Sequence, residues 1–338
     1  MKAVIFEKPG VMKVKNVDKP VCPEGGMLVK VTTCAICSTD VHMHTKGHRA
    51  LKYPVIPGHE IAGTVAEISS QCGVFEVGDR VVVGPGVSCG ACRFCLSGRE
   101  NLCDNIRIIG FNHPGGMAEY IAVPREMIKA EWVVRIPADM SLEVAALSEP
   151  VACCINGLEK IEIERSQRIF IVGGGPIGCL LSWLSKSSGA KEIVIAEKNS
   201  WRRSRVKELG VADIVVEDMN DIDSFDVIIL ACRVFPKSEL LNEKLEKGGQ
   251  ILFFSGVAED LFDSFSWIPS VHYKEWKVAG AYGCRPDQIK RAVELLHNGV
   301  IPVEHLIDAR YSLDTVDEAF EMIKRKACLK AVITFEGS

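Results

Sequence analysis

The chain has 338 residues, of which 47% are hydrophobic and 25% charged, so it has the composition of an ordinary globular protein with room for about two domains of ~150 residues. Its formal net charge of −4 argues against the basic face of a nucleic-acid binder, and no apolar run approaches the ~18 residues of a membrane span. The first seven residues read as a short charged strand, not as a secretory signal, so we expect a cytoplasmic protein.

The N-terminal part reads as short strands separated by Pro and Gly turns, the pattern of β-hairpins. Glycines at the strand bends suit a sheet that curves into a barrel. The predicted strands are Ala3–Phe6, Val11–Val17, Met27–Thr32, Ile61–Ile68 and Gly78–Val83, and the strand pattern resumes within Gly115–Pro124.

Three residues of this part offer the ligands of a catalytic metal site. Cys37 opens the run Cys37–His42, which we interpret as a turn, and it precedes His59 and Glu60 by 22 and 23 positions. A thiolate, an imidazole and a carboxylate form the mixed ligand set of a catalytic zinc ion, which keeps one coordination position open.

A second cysteine group interrupts the strand pattern between residues 84 and 106. Cys89, Cys92, Cys95 and Cys103 are separated by two, two and seven residues, and four thiolates can close a tetrahedron around a structural zinc ion. An iron–sulfur cluster is the main alternative, although the long last gap and the lack of a following proline disfavour it. The other ten of the 14 cysteines are scattered, mostly in apolar runs, and are interpreted as buried free thiols.

From about residue 165 the pattern changes to alternating strands and helices, with the continuous apolar runs of buried parallel strands. The predicted strands are Arg168–Val172, Ile193–Ala196, Asp213–Val216, Val227–Ala231, Ile251–Phe254 and Val278–Ala281. Predicted helices before, within and after this region are Ser141–Ala146, Val151–Leu158, Cys179–Ser187, Pro286–His297 and Asp314–Ile323, and a last strand is predicted at Ala331–Phe335.

A glycine fingerprint follows the first of these strands. Gly173, Gly175 and Gly178, with Pro176 and Ile177 between the last two, stand between a predicted strand and a predicted helix. The glycines let the backbone approach a pyrophosphate, and the helix N-terminus offers free N–H groups and a partial positive charge. The motif therefore predicts a dinucleotide site.

The second strand of this region ends at Glu197, 19 positions after Gly178. A carboxylate there accepts hydrogen bonds from the adenosine ribose hydroxyls and repels a 2′-phosphate, which favours NAD over NADP. The nearby Arg202 and Arg203 leave the alternative open, because they are either solvated helix residues or receptors for that phosphate.

Together these motifs resemble the zinc-dependent medium-chain dehydrogenases of the alcohol dehydrogenase superfamily, and within it the polyol (sorbitol) and threonine dehydrogenase branch. The resemblance covers essentially the whole chain. Besides the glycine fingerprint and the cysteine group, it rests on Cys37–His42, Gly58–Glu60, Gly78–Val81, Gly116–Tyr120 and Glu149-Pro150.

The resemblance implies an α/β fold with a GroES-like β-barrel catalytic domain and a Rossmann domain with a doubly wound parallel sheet. The implied bounds are 1–149 for the catalytic domain, 150–290 for the Rossmann domain and 291–338 for a segment that returns to the first. It also implies two zinc ions per subunit, NAD as cofactor, a small-molecule alcohol or ketone substrate and a homo-oligomer, either a tetramer or a dimer.

The resemblance further assigns roles. Cys37 and His59 are implied zinc ligands, and Glu60 competes or alternates with Glu149, which stands where alcohol dehydrogenase has its second cysteine. Asp40 is implied to accept the second ring N–H of His59. The metal would lower the pKa of the substrate hydroxyl, Thr39 and His42 would lead the proton to solvent, and a hydride would pass to the nicotinamide.

Three other classes share this fold. A zinc-free quinone or enone reductase is disfavoured by the intact Cys37, His59 and Glu60. A non-catalytic metal or dinucleotide sensor and an NADP-linked aldehyde or ketone reductase stay open as alternatives. The substrate itself is not specified, although Arg49 or Lys52 could hold a phosphate or carboxylate on a sugar-like molecule.

Overall fold

The structure is a computed structural model that describes residues 1–73, 75–220, 222–233, 236–256 and 266–335. It divides into two compact units, one formed by Met1–Ala152 with Cys284–Ser338 and one by Cys153–Gly283. The boundaries between the two units lie at 152/153 and 283/284, whereas the predicted boundaries lie at 149/150 and 290/291.

The strands of the described residues, in chain order, are β1 Lys2–Lys8, β2 Val11–Asn16, β3 Met27–Ala35, β4 Glu60–Ile68, β5 Arg80–Val83, β6 Gly86–Val87, β7 Arg107–Ile108, β8 Tyr120–Val123, β9 Val133–Arg135, β10 Arg168–Val172, β11 Glu192–Ala196, β12 Ile214–Val216, β13 Phe225–Leu230, β14 Leu245–Phe253, β15 Lys277–Gly280, β16 Ile307–Tyr311 and β17 Lys330–Thr334. The α-helices are α1 Ser38–Lys46, α2 Arg93–Leu96, α3 Arg125–Lys129, α4 Leu142–Ala146, α5 Ser148–Leu158, α6 Pro176–Ser187, α7 Ser200–Glu208, α8 Ser238–Lys244, α9 Ile268–Tyr273, α10 Pro286–His297 and α11 Val316–Lys324.

The first unit is built on a seven-stranded sheet in the order β16-β17-β3-β4-β5-β9, with β8 paired to β3 beside this path. All its pairs are antiparallel except β16 with β17. Strand β3 is central because its first half pairs with β8 and its last residues pair with β17. Gly63 allows β3 and β4 to approach, since a Cβ there would lie 2.2 Å from the carbonyl oxygen of Lys30.

The second unit contains a six-stranded parallel sheet in the order β12-β11-β10-β13-β14-β15. Its central strands are apolar on both faces, and Ile169, Phe170 and Ile171 are fully buried, as expected for strands that helices cover on both sides. All six predicted strands are present with ends shifted by at most two residues, apart from β14, which starts six residues earlier. The prediction of a doubly wound parallel sheet is confirmed.

The interpretation of Cys37–His42 as a turn was wrong. Cys37 is the N-cap of α1, where its Sγ accepts from the amide of Thr39 at 3.4 Å and Oδ2 of Asp40 accepts from the amide of Cys37 at 2.9 Å. A reciprocal cap normally begins with Ser or Thr, so a cysteine at this position did not indicate the start of a helix.

Two other helices also differ from the prediction. Helix α6 begins at Pro176, because proline fits the first helical position, and not at Cys179. The helix predicted at Asp314–Ile323 is a 3₁₀ turn, Leu313–Thr315, followed by α11. Within the described residues, every helix is too short or too polar to span a bilayer.

Candidate active site

The fold brings together three of the predicted metal ligands. Cys37 caps α1, His59 directly precedes β4, and Glu60 begins β4 opposite Ala35 of β3. One sulfur, nitrogen or oxygen atom of each lies within 4.8 Å of the other two, and His59 and Glu60 are 6% and 1% exposed. This donor set suits a zinc ion with an open coordination position.

Asp40 lies behind this trio, fully buried in the first turn of α1. Its Oδ1 is 3.5 Å from Nδ1 of His59, which leaves Nε2 of the imidazole for a metal. Burial works to lower the pKa of His59, but the carboxylate of Asp40 and the thiol of Cys37 outweigh it and hold this pKa well above its ordinary value. The carboxylate thus stabilises an N–H on Nδ1.

Glu60 is also paired with a residue that the sequence reading missed. Both carboxylate oxygens lie 2.6 Å from Nζ of Lys330, which begins β17 and donates to the carbonyl oxygen of Ile36 at 3.3 Å. Burial works to lower the pKa of Lys330, yet the charges of Glu60 and Cys37, with a smaller contribution from Glu149, raise it. The one available signal was a lysine inside the apolar run from Leu329 to Ile333.

Glu149 occupies the first turn of α5 and is 7% exposed. Its carboxylate does not belong to the group of Cys37, His59 and Glu60 whose donor atoms lie within 4.8 Å. It is near enough to Lys330 to contribute to the pKa of that ammonium. Glu60 is therefore the carboxylate nearer to the other two predicted ligands.

Thr39 and His42 lie three residues apart on α1, so they share one face of the helix, and both are partly exposed. The neighbouring His44 differs, because its ring packs against Phe6 and Phe320 at centroid distances of 5.4 and 5.8 Å. This packing holds the half-buried His44 against the core of the first unit.

The four-cysteine group also assembles. One Sγ from each of Cys89, Cys92, Cys95 and Cys103 lies within 4.8 Å of the others, with separations of 3.6 Å for Cys92–Cys95 and 4.0 Å for Cys89–Cys95. Four sulfurs at ~2.3 Å from a zinc ion stand roughly 3.8 Å apart in a tetrahedron, so these separations fit.

The electrostatics of this group favour a thiolate. Backbone N–H groups of Cys95 and Asp104 lower the pKa of Cys92 to about 6, which makes Cys92 a thiolate at neutral pH, the form that ligates metals. Burial raises the pKa of Cys95 to about 12, and a bound dication would oppose that rise.

In the second unit, the glycine turn joins β10 to α6. Gly173 has φ +110°, a conformation that favours glycine, and a Cβ on Gly178 would lie 1.9 Å from the carbonyl oxygen of Gly173. Gly175 is the N-cap and Pro176 and Ile177 open the helix, so the first amides of α6 have no side-chain cap. This is an anion-binding helix N-terminus.

Glu197 follows β11 beside this turn and is 8% exposed. Its two carboxylate oxygens accept from the amides of Gly174 at 3.0 Å and Asn199 at 2.8 Å, which fixes its orientation. Arg203 donates to the carbonyls of Glu197 and Lys198. Arg203 therefore supports the loop.

Arg202 is placed differently from Arg203. Its Nη1 lies 3.5 Å from the position that a Cβ on Gly175 would take. Its guanidinium thus reaches the glycine turn itself, which a solvated helix residue would not do. Arg202 and Glu197 bring opposite charges to the same turn.

Comparisons with known proteins identify the family of the chain. Residues 23–138 match the alcohol dehydrogenase GroES-like domain. D-altritol 5-dehydrogenase of Agrobacterium fabrum is 31% identical over 320 residues, which are 93% of this chain and 93% of that protein.

Two solved structures each match this chain over 99% of its length and over 99% of the length of their own chain. A zinc-binding dehydrogenase from Sinorhizobium meliloti 1021 bound to NADP is 29% identical with a TM-score of 0.85. A protein described as a short chain alcohol dehydrogenase, from Escherichia coli CFT073 and complexed with NADH, is 25% identical with a TM-score of 0.89. The chain belongs to the zinc-dependent medium-chain alcohol and polyol dehydrogenases.

Proposed function

We propose that the protein oxidises a secondary alcohol of a polyol, a sugar derivative or an amino alcohol to a ketone and transfers the hydride to NAD. The observation that carries the proposal is the grouping of Cys37 with the buried His59 and Glu60, with Asp40 behind the imidazole. The relationship to D-altritol 5-dehydrogenase supports a polyol-like substrate.

Each residue has a distinct task in this reaction. Cys37 and His59 would hold the catalytic zinc, with Glu60 or Glu149 as a further ligand, and the zinc would supply a Lewis acid that acidifies the substrate hydroxyl. Asp40 keeps the imidazole of His59 oriented. Thr39 accepts the hydroxyl proton and passes it towards His42, which is partly exposed and can release it to solvent.

We further propose a second, structural zinc ion held by Cys89, Cys92, Cys95 and Cys103. The sulfur separations near 3.8 Å support it. Because four thiolates fill the coordination shell, this ion would stabilise the loop and take no part in the reaction.

For the cofactor, we propose NAD. The two amide hydrogen bonds to Glu197 hold its carboxylate at the turn, where it would accept from ribose hydroxyls and repel a 2′-phosphate. The positive charge of Arg202 would instead favour the 2′-phosphate of NADP. The two solved relatives were bound to NADP and to NADH, respectively. The preference for NAD is therefore expected to be moderate.

The proposal is tested with the zinc-loaded chain, NAD or NADP and a panel of sugar alcohols, their phosphates and threonine, read by the absorbance of the reduced cofactor. Activity on a secondary alcohol that disappears in Cys37→Ser supports it. Binding of zinc and NADH without turnover of any alcohol would instead indicate a sensor. Faster reduction of aldehydes with NADPH would favour the reductase.

The same preparation tests the expected assembly. We propose a homo-oligomer, a dimer or tetramer, in the cytoplasm. Sedimentation of the purified chain measures the oligomeric state directly.

A further inference from the structure

A cavity of about 700 Å³ lies in the first unit, away from the predicted metal ligands. Its volume falls within the ~300–1,000 Å³ of small-molecule sites. Among the described residues that line it, none is a predicted ligand of either zinc ion. Most of the lining is apolar and is formed by Ile5, Val17, Pro54, Val55, Ile56 and Pro114.

Hydrogen-bonded backbone holds this lining in place. Phe6 of β1 and Val55 exchange two backbone hydrogen bonds at 2.9 and 3.1 Å, and the amide of Gly115 donates to the carbonyl of Ile56 at 2.8 Å. Because successive side chains of a strand alternate, the neighbours of the buried Phe6 on β1 face the other way and line the cavity. The cavity is therefore formed by the fold itself.

The polar part of the lining consists of Glu7, Lys15, Lys52, Asn112 and His113. Glu7 accepts hydrogen bonds from Lys15 and Lys13, which lower its pKa to about 2 and make it a carboxylate at neutral pH. Oδ1 of Asn112 accepts from the amide of Ile108 at 2.7 Å. Nζ of Lys52, in contrast, has no hydrogen-bond or ion-pair partner in the part of the chain that the structure describes.

His113 adds no charge to the cavity. Burial lowers its pKa below the ordinary value of 6.5, so the imidazole is neutral at pH 7. Arg107 and Glu126, whose charges also act on this imidazole, are opposite in sign. Nδ1 lies 3.3 Å from the carbonyl oxygen of Pro114, which can only accept, so Nδ1 carries the proton.

The remaining charges of the cavity leave a positive excess. Lys15 and Lys52 stand against Glu7 alone, and Lys13 beside Glu7 adds a further positive charge. The charge of Lys52 is not compensated by a neighbouring carboxylate. An apolar cavity with an uncompensated ammonium at its edge is suited to a molecule with an apolar body and one negative charge.

We propose that this cavity binds a small amphiphilic carboxylate, whose hydrocarbon part covers the apolar lining and whose carboxylate pairs with Lys52. The site is separate from the metal ligands: Phe111, next to Asn112, is outside the lining and packs against the ring of His59 at 5.6 Å. The inference goes beyond the proposed function and does not depend on it.

The test is a calorimetric titration of the full chain with octanoate as the probe. Octanoate is expected to bind once per chain and about tenfold or more tighter than butyrate, because its longer chain covers more of the apolar lining. Octylamine, which has the same chain and the opposite charge, should bind about fivefold or more weaker than octanoate.

Four variants locate the site. Lys52→Met should weaken octanoate binding about fivefold, while Lys8→Met, which changes an exposed lysine of β1 outside the lining, should not change it. Val17→Trp fills the cavity with a larger side chain and should weaken binding by about tenfold or more. Cys37→Ser should leave the octanoate affinity unchanged, which separates this site from a carboxylate bound at the catalytic metal.

The proposal is overturned if octanoate shows no saturable binding at millimolar concentrations, or if Cys37→Ser abolishes that binding. It is also overturned if Lys52→Met binds octanoate as the wild type does. This variant decides the matter even where Val17→Trp does not fold, because Lys52 is exposed. A protein that binds octanoate as expected but oxidises no alcohol would contradict the proposed function alone.

Discussion

Oδ1 of Asp40 and Nδ1 of His59 face each other at 3.5 Å, and neither atom has another hydrogen-bond partner in the described part of the chain. Two buried polar atoms that face only each other fix the imidazole tautomer and ring orientation. The other oxygen of Asp40 is already used by the amide of Cys37, so one carboxylate orients two predicted metal ligands.

Asp40→Asn is therefore expected to weaken zinc binding at the catalytic site about 10- to 100-fold, because asparagine keeps an oxygen for the Cys37 amide but carries no charge for His59. Competition with a chelator measures the affinity. Asp40→Ala, which also removes the hydrogen bond from the Cys37 amide and so half of the reciprocal cap of α1, should lose thermal stability in addition. Equal zinc affinity in Asp40→Asn and the wild type would contradict the role given to Asp40.

Much of the second unit could be predicted from the sequence, since parallel strands buried on both faces leave continuous apolar runs such as Arg168–Val172. The glycine fingerprint was also found where the fold needs it, at the strand-to-helix turn. These elements could be predicted because each is determined by residues that are close together in the chain.

The features that the sequence did not predict depend on an unusual capping residue or on contacts between residues far apart in the chain. Helix α1 was read as a turn because its cap is a cysteine and its residues show little apolar periodicity. Lys330 was left just outside its predicted strand, and its partner Glu60 is brought to it only by the pairing of β17, β3 and β4. A sequence pattern carries no information on such a register.

Arg202→Ala is expected to lower kcat/KM with NADP about tenfold while changing that with NAD by less than about threefold, since a guanidinium at the glycine turn contributes mainly to a phosphate. Steady-state rates with both cofactors measure this. Arg203→Ala is the matched comparison. Because Arg203 supports the Glu197 carbonyl, its loss should affect both cofactors to a similar degree.

Cys103→Ser is expected to reduce the zinc content by one ion per chain and to lower the Tm by about 5–10 °C, because a structural metal contributes folding free energy. Metal analysis and thermal unfolding test this. Cys72→Ser is the control, since Cys72 is equally buried, both residues being 4% exposed, but lies outside the cysteine group. A full zinc complement in Cys103→Ser would argue against the structural site.

His44 should make the first unit less stable at acid pH. Burial lowers its pKa, against the opposing charges of Asp317 and Glu321, while Lys324 acts in the same direction as burial. An imidazole with a lowered pKa in the folded state binds its proton more readily when unfolded, so stability falls as pH drops below about 6.5.

His44→Phe keeps an aromatic ring against Phe6 and Phe320 and removes this titration. Urea unfolding between pH 7 and 5 should therefore show a shallower loss of stability in the variant. The parallel variant His305→Phe, which changes an exposed histidine, should keep the wild-type slope. Identical slopes for His44→Phe and the wild type would rule out His44 as a contributor.

Glu149 distinguishes this chain from a metal site with two cysteines, and we expect it to favour substrates that present two oxygens. A carboxylate is a harder and more mobile donor than a thiolate, so it can give way when a vicinal diol approaches the metal with both hydroxyls. Glu149→Cys should then lower kcat/KM for a polyol about tenfold more than for a simple secondary alcohol. Glu149→Gln keeps an oxygen but no charge. Its preference for the polyol, measured as the ratio of kcat/KM values, should lie between those of the wild type and Glu149→Cys. Equal losses on both substrates in Glu149→Cys would show that the carboxylate contributes to the site without selecting diols.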